Sequence, residues 1–341
     1  MAEFMRAIGD KKRANLRDVA KAAGVSVATV SRVLNSPNSV APNTRENVQR
    51  VIGELRFTPS AAARAINSGR TRFVGALVPT LDNAIFARFL AALENTLAEF
   101  GLALVVSTTG EDPNTEVEKA KSLIDIGAEA LVLSGVAHAP ALFELTKAAQ
   151  LPTLATSYFE PDGPLPTIGY DNIVAAQMSV QHLLEQGHHR IAIVHGPVHR
   201  NDRTRARLNG VRSISGISYS FQEVDFSFEG GAQAADNILA LEPRPTAIAC
   251  MSDVLAIGVL QRLQRLEVSI PNEISVLGMD DLPISEHTFP ALSTIHLPVK
   301  RMGAAAGNAV GNWLEHGVFP NAEKLEPKLI TRESVAKLRD Q

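Results

Sequence analysis

Apolar residues recur along this chain with two periods, and the change between them falls near residue 72. Over 15–56 the spacing is three or four positions, as one face of a helix requires. Leu16, Val19, Ala20 and Ala23 make the first such stripe, with Asn15 placed to cap a helix and Gly24 to end it. Ser26 can cap a second helix whose inward residues are Val30, Val33 and Leu34. Pro42 suits the first turn of a third, with Val48, Val51, Ile52 and Leu55 on its buried side. Two helices joined by the tight Ala23-Gly24-Val25 turn, with a third across them, make a helix-turn-helix. A generic three-helix bundle would show the same stripes.

From Phe73 the pattern changes to short continuous apolar runs: "FVGALVP", "LALVVST", "ALVLSG", "PTLATSY", "RIAIVHG", "TAIACMS" and "ISVLGMD". Helical patterns over 84–100, 116–127, 175–186 and 254–266 lie between them. Buried strands separated by helices imply parallel sheets covered on both faces. The alternation is too long for one open sheet, and "TIGYDN", ending at Asn172, starts a second series. The expected fold is therefore an all-α helix-turn-helix headpiece followed by an α/β core of two Rossmann-like lobes. The headpiece is assigned to 1–58, a hinge to 59–71 and the core to 72–341. Within the core, "STIHLPV" (293–299) crosses back between lobes. One lobe takes about 72–168 plus 296–318, the other about 169–295 plus 319–341.

Charge separates the same regions. Residues 11–72 hold 12 Lys/Arg against 3 Asp/Glu, whereas the rest of the chain has 21 against 33. A basic module on an acidic body points to a polyanionic partner, nucleic acid before an anionic membrane surface. A membrane-binding helix would need large apolar residues opposite its cations, and this module lacks them. The polar face of "VSVATVSRVLN" carries short side chains and one arginine. In a DNA major groove, Val27 and Ala28 let the backbone approach closely. Thr29 and Ser31 can donate to phosphates or bases, and Arg32 can fork onto guanine. The single cysteine, Cys250, excludes an internal disulfide framework and fits a reducing compartment. With no spanning apolar run and no secretory leader pattern, a cytoplasmic protein without a membrane partner is expected.

Residues 16–71, "LRDVAKAAGVSVATVSRVLNSPNSVAPNTRENVQRVIGELRFTPSAAARAINSGRT", resemble the headpiece and hinge of the lactose-repressor/galactose-repressor family without a gap. A looser resemblance continues almost to the C-terminus. It implies a transcriptional regulator, a repressor, that binds palindromic operator DNA as a homodimer. Residues matching Val27, Ala28 and Arg32 would read bases, and those matching Leu16, Ser26, Thr29, Ser31 and Asn35 would position the helix. The Val27-Ala28 pair is similar to the galactose-repressor branch, which implies a central CG step. In the hinge, a short helix over 61–67 would pair across the dimer through its alanine face, Ala63 included. Ile66 would wedge into the minor groove where the family usually has leucine. A β-branched residue is stiffer and reaches less far. A plain interdomain linker is the alternative for this segment.

Ligands of open α/β sheets bind beyond the carboxyl ends of the strands. Those ends carry Asp82, Asn83, Asp171, Asn172, the loop "HRNDRTRAR" (199–207), Asp253, Asp280 and Asp281. Any one of them can be an ordinary loop residue; the set together suits a small polar ligand held between lobes. The resemblance implies effector contacts at Arg207 and Asp280, stacking by Phe226, lesser contacts at Asp171 and Asp253, and apolar wall at Ile85 and Phe86. Arg200, Arg203 and Arg205 crowd beside Arg207, a hint of a sugar acid over a neutral sugar. The segment between Val211 and Gln222 is shorter than the family's, so a trimmed helix and strand are expected before Phe226.

Other classes fit less well. There is no Gly-Lys dipeptide for a Walker A loop and no Gly-x-Gly-x-x-Gly after the first strand. His188, His189, His195 and His199 have no Cys or Glu at ligand spacing, so neither metal nor cofactor is expected, although His199 could touch an effector. An enzyme is not indicated. A solute-binding protein of the periplasmic type would share the two-lobe core but not the basic module. A purine or nucleoside is the alternative effector.

Overall fold

The computed structural model describes residues 14–58, 69–110 and 112–338. Its contacts divide the chain into two units, with the boundary between Thr71 and Arg72.

The smaller unit holds α1 (Leu16–Ala23), α2 (Val27–Asn35) and α3 (Pro42–Glu54). Asn15 caps α1 by accepting from the Arg17 and Asp18 amides, while the Asp18 carboxylate accepts from the Asn15 amide in return. Gly24, at φ +67, ends the helix in the left-handed conformation that glycine adopts without a Cβ clash. Ser26 Oγ accepts from the Thr29 amide at 3.0 Å and starts α2. Asn47 on α3 donates to the Ala23 carbonyl at 2.9 Å and pins the turn. Val19, Ala20, Ala23, Val30, Val33, Val48, Val51 and Phe57 are buried together, with Leu16, Leu34 and Ile52 partly buried against them. Leu55 departs from its expected buried role and is 38% exposed. It lies just past the end of α3, where the stripe no longer applies, and Phe57 fills the core instead.

The larger unit begins with β1 (Phe73–Val78), α4 (Ala84–Glu99), β2 (Ala103–Thr108), α5 (Pro113–Asp125), β3 (Ala128–Ser134), α6 (Pro140–Ala148), β4 (Thr153–Thr156) and β5 (Thr167–Gly169). The chain then crosses into a second lobe: α7 (Asn172–Glu185), β6 (Arg190–His195), α8 (Asp202–Arg212), β7 (Ser218–Glu223), α9 (Phe228–Leu239), β8 (Ala247–Cys250), α10 (Asp253–Arg265), β9 (Ser275–Asp280) and β10 (Ser293–His296). It returns with α11 (Val299–His316) and β11 (Glu323–Lys324), and crosses once more to β12 (Lys328–Ile330). The sheets run β11-β5-β4-β3-β1-β2 and β12-β10-β9-β8-β6-β7, parallel throughout except for antiparallel β12. Central strands such as β4 and β9 are buried along their whole length, as helices on both faces demand.

Two expectations need correction. Residues 319–341 do not stay in the second lobe, because β11 pairs with β5 at Glu323↔Ile168 and covers that short strand's open edge. Nor is the strand before Phe226 trimmed: all six residues of β7 pair with β6, from Arg190↔Ser218 to His195↔Glu223. Gly303, Gly307 and Gly311 let α11 approach α4 so closely that a Cβ at Gly303 would collide with the Phe89 carbonyl. That approach brings the starts of both helices to one end of the sheets.

Candidate functional site

On the smaller unit, α2 presents Ser26, Val27, Ala28 and Arg32 as exposed residues, with Thr29 and Ser31 half-buried beside them. Val27 is 41% exposed, which an isolated valine at a helix start does not require. The Ser26 and Thr29 hydroxyls lie 2.9 Å apart, beside the cap that Ser26 makes on the Thr29 amide. The inward face of α2 is Val30 and Val33, so the outward arc is small, uncharged except for Arg32, and open. Leu16 sits in the first turn of α1, half-buried against the same core. Asn35 closes α2. Ala63 and Ile66 lie outside the described residues.

In the larger unit a cavity of about 350 Å³ opens between the two lobes, at the carboxyl ends of both sheets. Its apolar wall comes from Ile85, Phe86 and Phe89 on α4 and from Val299 and Met302 on α11. Phe226 closes the other side, its ring over Gly196, where a Cβ would clash with it. The polar floor includes Asn201, Arg203, Thr204 and Arg207 around α8, with Tyr170, Ser157, Ser252 and Asp280.

Arg207 is only 7% exposed. It donates through Nε to Asn172 Oδ1 at 3.0 Å and through Nη1 to the Met251 carbonyl at 2.7 Å. Asp280 ends β9, where Ser252 Oγ donates to its carboxylate at 3.0 Å. Burial pushes the Asp280 carboxyl up to about 7; the Arg207 charge opposes that rise and the nearby Asp253 adds to it. Asp280 and Asp281 both have positive φ, +126 and +54, a costly conformation that the surroundings must hold. Asp281 is held on three sides. Arg332 Nη2 and His296 Nδ1 bond its carboxylate at 2.7 and 2.9 Å, and Arg88 Nη1 reaches its carbonyl from the opposite lobe at 2.7 Å. Burial alone would raise the Asp281 carboxyl, but the bonds from Arg332 and His296 and their charges keep it below the usual range.

Three expected contacts do not reach this cavity. Asp171 caps α7, accepting from the Ile173 and Val174 amides. Asp253 is fully buried behind Asp280 and accepts from the Leu282 amide, Ser285 Oγ and Thr294 Oγ1 at 2.8, 2.6 and 2.6 Å. Burial pushes its carboxyl up despite those bonds. It shapes the floor from beneath. Arg200 pairs with Asp112 across the lobes at 2.6 Å. It lines a second cavity of about 410 Å³, next to the first across Arg203 and Pro79. His199 is exposed and away from the lining.

The arginine crowding resolves by helical phase. Arg203 and Arg207, four apart on α8, face the cavity, whereas Arg205 turns outward to the Val198 carbonyl. Asn201 caps α8 through the Thr204 amide, a signal readable in "NDRTRAR" that would have set this phase. Tyr170, Ser157 and Ser252 carried no such signal, since their place follows from the crossings. Arg203 pairs with Asp202, whose carboxylate also seats on the Val136 and Ala137 amides of the first lobe at 2.5 and 2.9 Å. Burial alone would raise the Asp202 carboxyl, but Arg203 and those amides together hold it low. Gly135, at φ +86, leaves no room for a side chain there.

Among the described residues no group of three His, Cys, Asp or Glu is placed to hold a metal ion, and no helix is long and apolar enough to cross a membrane. His188 bonds Thr246 Oγ1 and the Ala336 carbonyl, and His195 its neighbour's carbonyl.

Residues 15–60 match the model of bacterial regulatory proteins of the lacI family, and 180–335 match a periplasmic binding protein-like domain. The ribose operon repressor of Haemophilus influenzae is 30% identical over 96% of this chain and all of its own length. The HTH-type transcriptional repressor PurR of Vibrio campbellii is 30% identical over 95% of this chain and 99% of its own. The lac repressor dimer, solved bound to operator and the anti-inducer ONPF, superposes with a TM-score of 0.85 at 25% identity, covering 95% of this chain and 100% of that one.

Proposed function

This chain belongs to the lacI family of bacterial regulatory proteins and is a DNA-binding transcriptional regulator rather than an enzyme; we propose that it is a repressor whose operator affinity is set by a sugar or sugar acid in the inter-lobe cavity. The observation that carries the effector site is the buried Arg207 and Asp280 pair facing the apolar wall of Ile85, Phe86 and Phe89. A carboxylate and a guanidinium on one floor bind hydroxyls as acceptor and donor, and the wall takes a ring's apolar face. Arg200, Arg203 and Arg205 are occupied by Asp112, Asp202 and the Val198 carbonyl, which favours a neutral sugar over a sugar acid.

On the DNA side, Val27, Ala28 and Arg32 read base edges in the major groove, while Leu16, Ser26, Thr29, Ser31 and Asn35 position α2 on the backbone. The protein acts as a homodimer on a palindrome, with Ala63 and Ile66 at the hinge contact. The effector shifts the balance of two lobe arrangements only by its differential affinity for them, typically about 1–3 kcal/mol of coupling.

Thermal shift with D-ribose, D-gluconate and hypoxanthine, each alone, tests the effector class. A ligand at 100 times its Kd adds about 2.7 kcal/mol of stability. A shift with a sugar that Arg207→Ala strongly reduces supports the reading. A shift with hypoxanthine only contradicts it.

A further inference from the structure

The effector-facing arginine is not self-supporting. Its Nε bonds Asn172, a residue in the first turn of α7 that is 1% exposed and does not line the cavity. Asn172 makes a second bond, donating from Nδ2 to the Ser157 carbonyl at 3.0 Å. The orientation of this amide follows from its partners: a guanidinium can only donate, and a carbonyl can only accept, so Oδ1 must face Arg207 and Nδ2 must face Ser157. No other side chain of this size offers both at once.

Ser157 belongs to the other side of the cavity. It follows β4 of the first lobe, has φ +66, and its amide contacts Met302 Sδ at 3.1 Å, on the α11 wall. One buried amide thus ties the arginine of the second lobe to backbone of the first, beside the crossing at 169–172.

We infer that Asn172 is a positioning residue for the effector site: it fixes the guanidinium of Arg207 and fastens it to the first-lobe segment at Ser157. The inference rests on the reading of this cavity as the effector site, and its two bonds can be broken separately. In Asn172→Ala both are lost. In Asn172→Asp the bond to Arg207 survives as an ion pair, while the donor to Ser157 is replaced by an oxygen facing an oxygen.

The test uses the full chain and has two arms. The first observes the Arg207 Nε–H resonance by ¹⁵N NMR, assigned by its absence in Arg207→Lys, and its exchange with solvent. The signal is expected to be protected in the unsubstituted protein and in Asn172→Asp, and unprotected in Asn172→Ala. Undiminished protection in Asn172→Ala overturns the inference whether or not any effector binds. The second arm titrates D-ribose, D-gluconate and hypoxanthine singly by calorimetry. For whichever binds, Asn172→Ala should weaken affinity about tenfold or more. The Arg207→Ala variant should then lose nothing further when Asn172→Ala is added, because the amide acts through the arginine. Additive losses overturn the inference. If none of the three binds, the sugar proposal suffers and the resonance alone decides the role of Asn172. Asn172→Asp also serves where Asn172→Ala does not fold: loss of its Nε–H protection contradicts the assignment.

Discussion

Asp280 combines burial with a neighbouring arginine, and the two pull its carboxyl in opposite directions; burial wins and moves it to about 7. Because the folded value lies above the ordinary carboxylate range, its contribution to stability is full below pH 4 and is lost as pH rises through about 7. In the ligand-free protein, the difference in stability between the unsubstituted chain and Asp280→Asn should therefore shift against the unsubstituted chain over that window. Urea titrations at half-unit pH steps read this directly; parallel curves for the two proteins would mean the carboxyl is not perturbed. On the proposed DNA face, Arg32 is exposed on α2. Arg32→Ala should cost about 1–3 kcal/mol, concentrated at one base pair per half-site. Equal loss on every operator variant in a mobility-shift series would reduce Arg32 to a phosphate contact.

The helices of the smaller unit were legible because each carries its own caps: Asn15, Ser26, Gly24 and Pro42 mark boundaries that the folded helices share. Central strands of the core were legible as continuous apolar runs. Of the edge strands, β2 was legible in the same way, but β7, β11 and β12 were not. β7, "SYSFQE", is half polar because one of its edges and part of its faces meet water, and β11 and β12 are two and three residues long. Their pairing is decided by which sheet edge is open, which no local pattern records. The same holds for site residues. Arg207, Asp280, Phe226, Ile85 and Phe86 line one cavity, whereas Asp171, Asp253 and Arg200 follow or precede lining residues but turn their side chains to a helix cap, a buried network and Asp112. At this scale the Asp202 carboxylate, seated on the Val136 and Ala137 amides, clasps the lobes together. Asp202→Ala should cost about 1.5–3 kcal/mol of core stability and speed hydrogen exchange at both amides. Unchanged exchange there would exclude the clasp. His188 makes a second element-level bond, holding the 334–338 segment through the Ala336 carbonyl. Burial lowers its pKa below 6.5, so its stabilisation is present above pH 6.5 and is lost as pH falls through the folded value. His188→Gln should flatten that acid-side loss in a melting series.

At the level of the molecule, the crossings after β5, β10 and β11 join the two lobes, and the cavity lies between them. Crossing segments of few residues allow hinge motion while Arg88, Arg200 and Asp202 bridge the lobes. On the proposed reading, an effector on Arg207 and Asp280 would act where the lobes meet, while the charge contrast between the basic N-terminal region and the acidic remainder favours a polyanion at the other unit. The claim on which this account rests is that the smaller unit reads a DNA sequence. The direct measurement is the affinity of the full chain for a palindrome enriched from a random duplex pool, compared with a scrambled duplex of equal length at one moderate salt concentration. A preference of about 10³-fold or more is expected, most of it removed by Arg32→Ala. Equal affinity for the two duplexes would contradict it.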